Sequence, residues 1–289
     1  MATKKNDAAK RWPGEAKVAV VFQFVFEQWA GTHVEPGRHT APQLPPAAIK
    51  AGMRDLVSLS WQDYAGRAGF YRLMDIAHAE GVTATGLFNG YAVERYPDIA
   101  REFAEQGNEL AAHSWSEEVK SYQLTDEAMR ADVKKTKKII QDVAGYTPVG
   151  WSSAGHQGGP NTLDAVAAEG FKYVIERVDD DRPVFLEGGG RKLVGFSPSF
   201  DINDQQLYAR GLNGPAAYIE TFTRHLEVLL AEQQEGLPFV VNAVFHATLF
   251  GHPLGGWALR ECIRHARGRA GVWIATHRAC AEYCLEKFQ

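Results

Sequence analysis

His113 and Glu117 stand four residues apart in the run 107–118, Gly-Asn-Glu-Leu-Ala-Ala-His-Ser-Trp-Ser-Glu-Glu. An imidazole carries a proton near neutrality or ligates a metal through a neutral nitrogen, and a carboxylate takes up a proton or supplies an anionic oxygen. The turn-like Gly107 and the apolar residues 110–112 read as the approach to a short buried strand, with polar residues beginning at its carboxyl end. Parallel β/α sheets and barrels place their chemistry at that end. Two more polar residues occupy such positions: Glu27 after the apolar run 17–26, and His246 after the run 239–245. Glu27, His113 and Glu117 are together an acceptable donor set for zinc or manganese. The same carboxylates can activate water with no metal, and the sequence leaves that choice open. Each residue also has a plain structural reading: Glu27 a solvated loop acid, Glu117 and Glu118 the acidic first turn of a helix, and His246 a core hydrogen-bonding group. Asp179, Asp180 and Asp181 are consecutive, cannot all point inward, and read as solvated.

The elements that must position these residues alternate. Residues 17–26 are apolar and rich in β-branched and aromatic side chains, the pattern of a strand buried on both faces. Residues 29–61 carry Pro, Gly and His without a clean period and read as a long irregular excursion that builds a pocket wall. Helical spacing follows over 69–81, 97–106, 125–144, 161–169, 215–234, 254–266 and 277–287, with glycine closing several of these runs. Strand-like segments fall at 84–88, 110–112, 149–151, 173–175, 193–196, 239–245 and 272–275. This alternation predicts parallel β/α units, either in a closed barrel or an open sheet. Trp29, Trp115 and Trp151 lie beside the site motifs and are candidates to line a pocket for a flat ring, or else core residues.

The chain has 289 residues, 45% hydrophobic and 23% charged, enough to bury one large core, and we expect a single domain over 1–289 with a polar extension to about residue 12. Its net charge of −4 comes with basic residues interspersed among acidic ones, which argues against nucleic acid as a partner and for a small-molecule substrate. Residues 1–11 lack the apolar centre of a secretory signal and no run approaches the roughly 18 apolar residues of a membrane span, so we expect a cytoplasmic protein without a membrane partner. Cys262, Cys280 and Cys284 form no CxxC pair and read as packing residues.

Several short segments, in order, carry a resemblance. They include Trp12-Pro13, Tyr64-Ala65-Gly66-Arg67-Ala68-Gly69, Tyr96-Pro97-Asp98-Ile99, the 107–113 run, Thr147-Pro148-Val149-Gly150-Trp151, Glu169-Gly170-Phe171-Lys172-Tyr173, Asn203-Asp204 and 245–253. With these the chain resembles the polysaccharide deacetylase (nodulation protein B homology) family, and within it the cytoplasmic branch of allantoinases, cyclic imide hydrolases and related deacetylases. The resemblance implies an α/β fold, a distorted (β/α) barrel with its active site at the carboxyl ends of the strands, and a homo-oligomer. Metal-dependent members carry an Asp-x-Asp pair after the first strand and a His-x-x-x-His pair at the third. Here Val25 stands at the first aspartate and Glu27 at the second, Glu117 replaces the second histidine, and Ser152 and Ser153 occupy the region of a substrate-orienting arginine.

The resemblance therefore implies Glu27, His113, Glu117 and His246 as catalytic residues, and a site that works either with a divalent metal such as zinc on Glu27, His113 and Glu117 or with none. Glu27 or Glu117 would be the base that activates water, and His246 the donor to the oxyanion or the leaving nitrogen. Trp29, Trp115, Trp151 and Asn203 would contact substrate. The expected activity is hydrolysis of a carbon–nitrogen bond in a small cyclic amide or imide. The alternatives are a metal-dependent deacetylase of a sugar or peptidoglycan precursor and an inactive member that binds a small ligand.

Overall fold

The structure is a computed structural model that describes residues 9–31, 44–211, 213–233 and 235–288. Its centre is β1 (Val18–Phe26), nine buried residues in succession, as the continuous apolar run requires. It is flanked in parallel by β2 (Thr85–Phe88) and β8 (Phe239–His246). The sheet continues in parallel from β2 through β3 (Glu109–Ala112), β4 (Gly150–Trp151), β5 (Tyr173–Ile175) and β7 (Arg191–Phe196). It ends on β6 (Val184–Gly188), antiparallel to β7, and β9 (Val272–Ile274) pairs the amino-terminal half of β1. Ten helices accompany the strands among the described residues, giving a curled, half-closed parallel β/α barrel of the expected class.

Strand side chains alternate between two faces, and the two faces pack into different cores. Val18, Val20, Phe22, Phe24 and Phe26 point outward against helices such as α3 (Phe70–Ala79), α5 (Pro97–Glu105) and α8 (Pro215–Ala231). Phe24 meets Phe70 and Phe245 edge-on at 6.2 and 6.3 Å, and its truncation to alanine would cost about 3–5 kcal/mol. Val21, Val25, Leu87, Ala111, Ile175 and Val244 point inward and form the second core.

Beneath this inner tier lies a buried polar floor. Glu109 accepts hydrogen bonds from Thr85 Oγ1 at 3.0 Å, the Tyr173 hydroxyl at 2.8 Å and the Arg278 amide at 2.8 Å. These tie the sheet to α10 (His277–Lys287), whose first residue stacks its ring on Tyr173 and packs against Phe196. Burial lowers the His277 pKa to about 3.

The structure corrects the excursion expected over 29–61. It contains α1 (Pro46–Lys50) and α2 (Leu56–Tyr64), while 32–43 lies outside the described residues. Asp55 caps α2 by accepting the Ser58 amide at 3.2 Å, and the buried positions Ser58, Leu59 and Gln62 mix polar with apolar types, which erases the helical period. The short α4 (Gly90–Arg95) and strand β6 are likewise additions to the expected elements. The β6–β7 hairpin turns on Gly189 and Gly190, both at positive φ (53° and 73°), as a tight two-residue turn of this kind demands. Trp12, at the edge of the expected extension, is buried and donates its indole N–H to Phe239 O at 2.8 Å. No helix among the described residues is long and apolar enough to cross a membrane.

Candidate active site

The parallel ladder runs one residue beyond the strands. The amides of His113, Ser152 and Ala247 donate to the carbonyls of Phe88, Ala112 and Val25 at 2.9, 2.9 and 3.0 Å. Counting by two from the inner tier, Glu27, Asn89, His113, Ser152 and His246 form one inward-facing roof layer, and all five are buried. Glu117 reaches the same point by a different route. Ser114 takes a positive φ (50°), which turns the chain immediately after His113, and the Glu117 amide then donates to Gln28 O at 3.0 Å beside the end of β1. Its carboxylate is fully buried rather than part of a solvated helix turn.

His113 Nδ1 lies 2.9 Å from the Ser152 carbonyl, which only accepts, so this nitrogen carries the proton. Nε2 is thereby aimed at Glu27 Oε1, 3.6 Å away, and Glu117 Oε2, 3.4 Å away. Burial alone would lower the His113 pKa; hydrogen bonds to Glu117 and Glu27 and their charges overcome it and raise the pKa to about 10. Two carboxylates facing one ring nitrogen call for a cation between them, either a proton or a metal ion. Lys120 adds positive charge on the far side, its Nζ 3.5 Å from Glu117 Oε1.

His246 is the second imidazole. Its Nδ1 is 2.6 Å from Asp204 Oδ1, while Asp204 Oδ2 accepts the amides of His246 at 2.8 Å and Phe250 at 3.2 Å. The buried carboxylate thus fixes both ring orientation and tautomer. Nε2 is left facing Glu27 Oε1 at 3.8 Å. Burial works against the His246 cation, but the charges of Asp204 and Glu27 outweigh it and the pKa is raised. Glu27 therefore sits between two imidazoles. A third, His156, has Nδ1 3.1 Å from Ser152 Oγ, and burial lowers its pKa to about 3, so it is neutral. Glu176, at the end of β5, accepts the Ser153 amide, and burial raises its pKa.

The structure brings together the four residues that the sequence nominated for chemistry: Glu27, His113, Glu117 and His246. The nominated substrate contacts are not gathered in the same way. Trp29 is buried against Trp61, with ring centroids 6.2 Å apart. Trp151 alternates to the outer face, where it meets Phe171. Trp115 packs over α6 (Asp126–Ala144), with the Lys135 ammonium 3.1 Å from its ring centroid. Asn203 braces a turn, its Oδ1 accepting the Gln205 amide at 2.9 Å. Sequence reasoning assigned no role to Asp204, His156 or Glu176. Asp204 had a signal in the Asn203-Asp204 segment, but its partner His246 is 42 residues away.

Glu27, His113 and Glu117 each offer a ligand atom, all within 4.8 Å of one another. With Ser152 holding the far nitrogen of His113, as a carbonyl commonly does behind a ligating imidazole, the three residues fit a divalent metal.

The fold and this site define a parallel β/α protein whose polar roof combines carboxylates and imidazoles for acid–base chemistry. A family model described as polysaccharide deacetylase matches residues 50–174. A Schizosaccharomyces pombe protein bearing a polysaccharide deacetylase name is 22% identical, over 94% of this chain and 91% of its own length. A Mycobacterium smegmatis structure of the same designation is 25% identical with a TM-score of 0.82, covering 98% of this chain and 96% of that one. The structure of PuuE allantoinase is 24% identical with a TM-score of 0.84, covering 96% and 93%, a likeness of fold. The family match points to a hydrolase acting on carbon–nitrogen bonds.

Proposed function

We propose that the chain hydrolyses a carbon–nitrogen bond in a small cyclic amide or imide of the allantoin, hydantoin or succinimide type. The observation that carries this reading is the array Asp204–His246–Glu27–His113, in which one carboxylate lies between two imidazoles and a second buried carboxylate backs one of them. Such an array holds the three functions that amide hydrolysis needs: a base for water, a cation for the oxyanion and an acid for the departing nitrogen. The fold shared with an allantoinase adds support. The reading includes a small-molecule substrate and a homo-oligomer in solution, with neither nucleic acid nor membrane as a partner.

In this mechanism Glu27 accepts a proton from water as the water oxygen bonds to the ring carbonyl carbon. His113, cationic and fixed by Ser152, orients the Glu27 carboxylate, and Glu117, whose other oxygen faces Lys120, holds that cation in place. His246, cationic through Asp204, stabilises the oxyanion through Nε2–H and then gives that proton to the ring nitrogen as the C–N bond breaks. The product is a ring-opened molecule with a new carboxyl group and a new N–H, and Glu27 returns its proton to His246 to close the cycle. A divalent metal held by Glu27, His113 and Glu117 would supply a lowered pKa of bound water at the same point.

The test is a substrate panel of allantoin, hydantoin, succinimide and maleimide set beside chitin oligomers and an acetylated peptidoglycan fragment. Ring opening, seen as loss of imide absorbance or gain of a carboxylic acid, is the expected result. Acetate release from the oligomers with inert rings would overturn it in favour of deacetylation.

A further inference from the structure

Asn89 is the one member of the roof layer to which the mechanism gives no task. It is fully buried, one residue beyond β2, and it precedes α4 at the position where an asparagine usually turns its side chain onto the free amides of its own helix. Here it makes no such bond. The first two amides of α4 go instead to the carbonyls of Ser114 and Trp115, at 3.0 and 2.7 Å.

The Asn89 side chain spans the end of the sheet. β2 lies between β1 and β3, so Glu27 and His113 follow strands about 10 Å apart that share no ladder. Asn89 Oδ1 accepts the Gln28 amide, next to Glu27, at 2.9 Å, and Nδ2 donates to the carbonyl of His113 itself. Gln28 in turn receives the Glu117 amide on its own carbonyl at 3.0 Å. One carboxamide thus ties together, directly or through a single residue, the chain segments that carry Glu27, His113 and Glu117. Its two bonds have opposite sense. A backbone amide only donates and a carbonyl only accepts, so the bridging group must offer an acceptor to one side and a donor to the other. An ionised carboxylate of the same shape fails on the His113 side, where oxygen would face oxygen, whereas a protonated one offers both.

We propose that Asn89 is a positioning residue: by clamping the chain beside Glu27 to His113 it sets the 3.6 Å approach of the Glu27 carboxylate to His113 Nε2, in which the base is held for attack by water. The proposal rests on the reading of the site as a hydrolase with Glu27 as its base. Asn89 acts through the residues it joins, not on the reacting atoms.

The experiment compares Asn89→Ala and Asn89→Asp with the wild type, by kinetics per folded molecule on the best cyclic substrate and by crystal structures of the variants. Asn89→Ala leaves the Gln28 amide and the His113 carbonyl unmatched, and a displacement of about 1 Å at the reacting groups should lower kcat roughly a hundredfold. KM should stay within about threefold of the wild-type value, since no contact with substrate is removed. Asn89→Asp should be as slow at about pH 8, and its kcat relative to wild type should recover at least about tenfold toward about pH 5, as the buried carboxyl takes up the proton that stands in for the amide N–H. A residue needed only for folding would lower the folded fraction and leave kcat per folded molecule unchanged. That result overturns the proposal, as does a pH-independent ratio for Asn89→Asp or failure of both variants to fold. If the wild type opens no ring, the reading of the reaction falls and the structures alone decide the clamp. A Glu27–His113 separation widened by about 1 Å or more in Asn89→Ala supports it, and an unchanged separation overturns it.

Discussion

Replacing Asp204 by asparagine perturbs the site with the least change of shape. Asp204 accepts three hydrogen bonds, two backbone amides on Oδ2 and His246 Nδ1 on Oδ1. Asparagine has one oxygen, and the two amides, which only donate, will hold it. The side-chain NH2 is then forced toward His246 Nδ1, which must accept, so the neutral imidazole moves its proton to Nε2. The negative charge that keeps His246 cationic disappears at the same time, and its pKa falls. The variant keeps the two backbone bonds and exchanges one charge-assisted bond for a neutral one, a loss of about 1–1.5 kcal/mol of stability. Catalysis loses its acid, worth roughly two to four orders of magnitude in kcat, or about 3–5 kcal/mol of barrier. The loss should fall on kcat and leave KM near its wild-type value, because the ring of His246 stays where it is. Steady-state kinetics on the best cyclic substrate, paired with urea unfolding, reads both quantities. A variant that unfolds like the wild type and retains kcat within threefold would refute the role given to His246.

Further outcomes follow from the same geometry. His113→Ala should lower turnover by about two to four orders of magnitude in a protein whose circular dichroism is unchanged; retention of more than half the activity would move the site elsewhere. Glu27→Gln should be as damaging, since an amide cannot accept the proton of water, and a rate equal to wild type would make Glu27 a bystander. In chelator-treated protein, added Zn²⁺ should raise the melting midpoint, and Glu117→Gln should remove most of that rise; no rise in the wild type would mean that a proton alone bridges the carboxylates. His277 has a folded pKa of about 3, depressed from 6.5 by burial, so the unfolded chain binds more protons between those values and stability is lost as pH falls through that window. Between pH 7 and 5 this amounts to about 2 kcal/mol. The urea midpoint of His277→Phe should fall correspondingly less over that interval, and parallel falls would show that the imidazole is protonated in the folded state.

How far the sequence could carry this depended on whether a feature is local. The β1 run was legible because a strand buried on both faces is apolar nearly throughout, Gln23 being its single polar position, and Glu27, His113 and His246 were legible as polar residues at the carboxyl ends of such runs. Glu117 was nameable by its spacing, but its burial depends on the positive φ of Ser114 and on a bond to Gln28, neither of which leaves a trace in residue type. Asp204 looks like any acidic residue in a polar stretch until the fold brings it to His246. Trp151 shows the opposite case, nearness in sequence without nearness in space. Trp151 adjoins Ser152, yet alternation sends the two to opposite faces. Helix α2 and strand β6 escaped notice because their burial patterns keep neither a helical nor a strand period.

The apolar tier formed by Val25, Leu87, Ala111, Ile175 and Val244 has a consequence for how this barrel can change. It separates the Glu109 floor from the Glu27 roof by four residues of strand, about 13 Å, beyond the range at which substitutions usually influence one another. The floor clamps the sheet to α10, and the roof meets the substrate. Carboxylates, imidazoles and serines above the partition can therefore be exchanged, one chemistry for another, while the fastening below stays as it was.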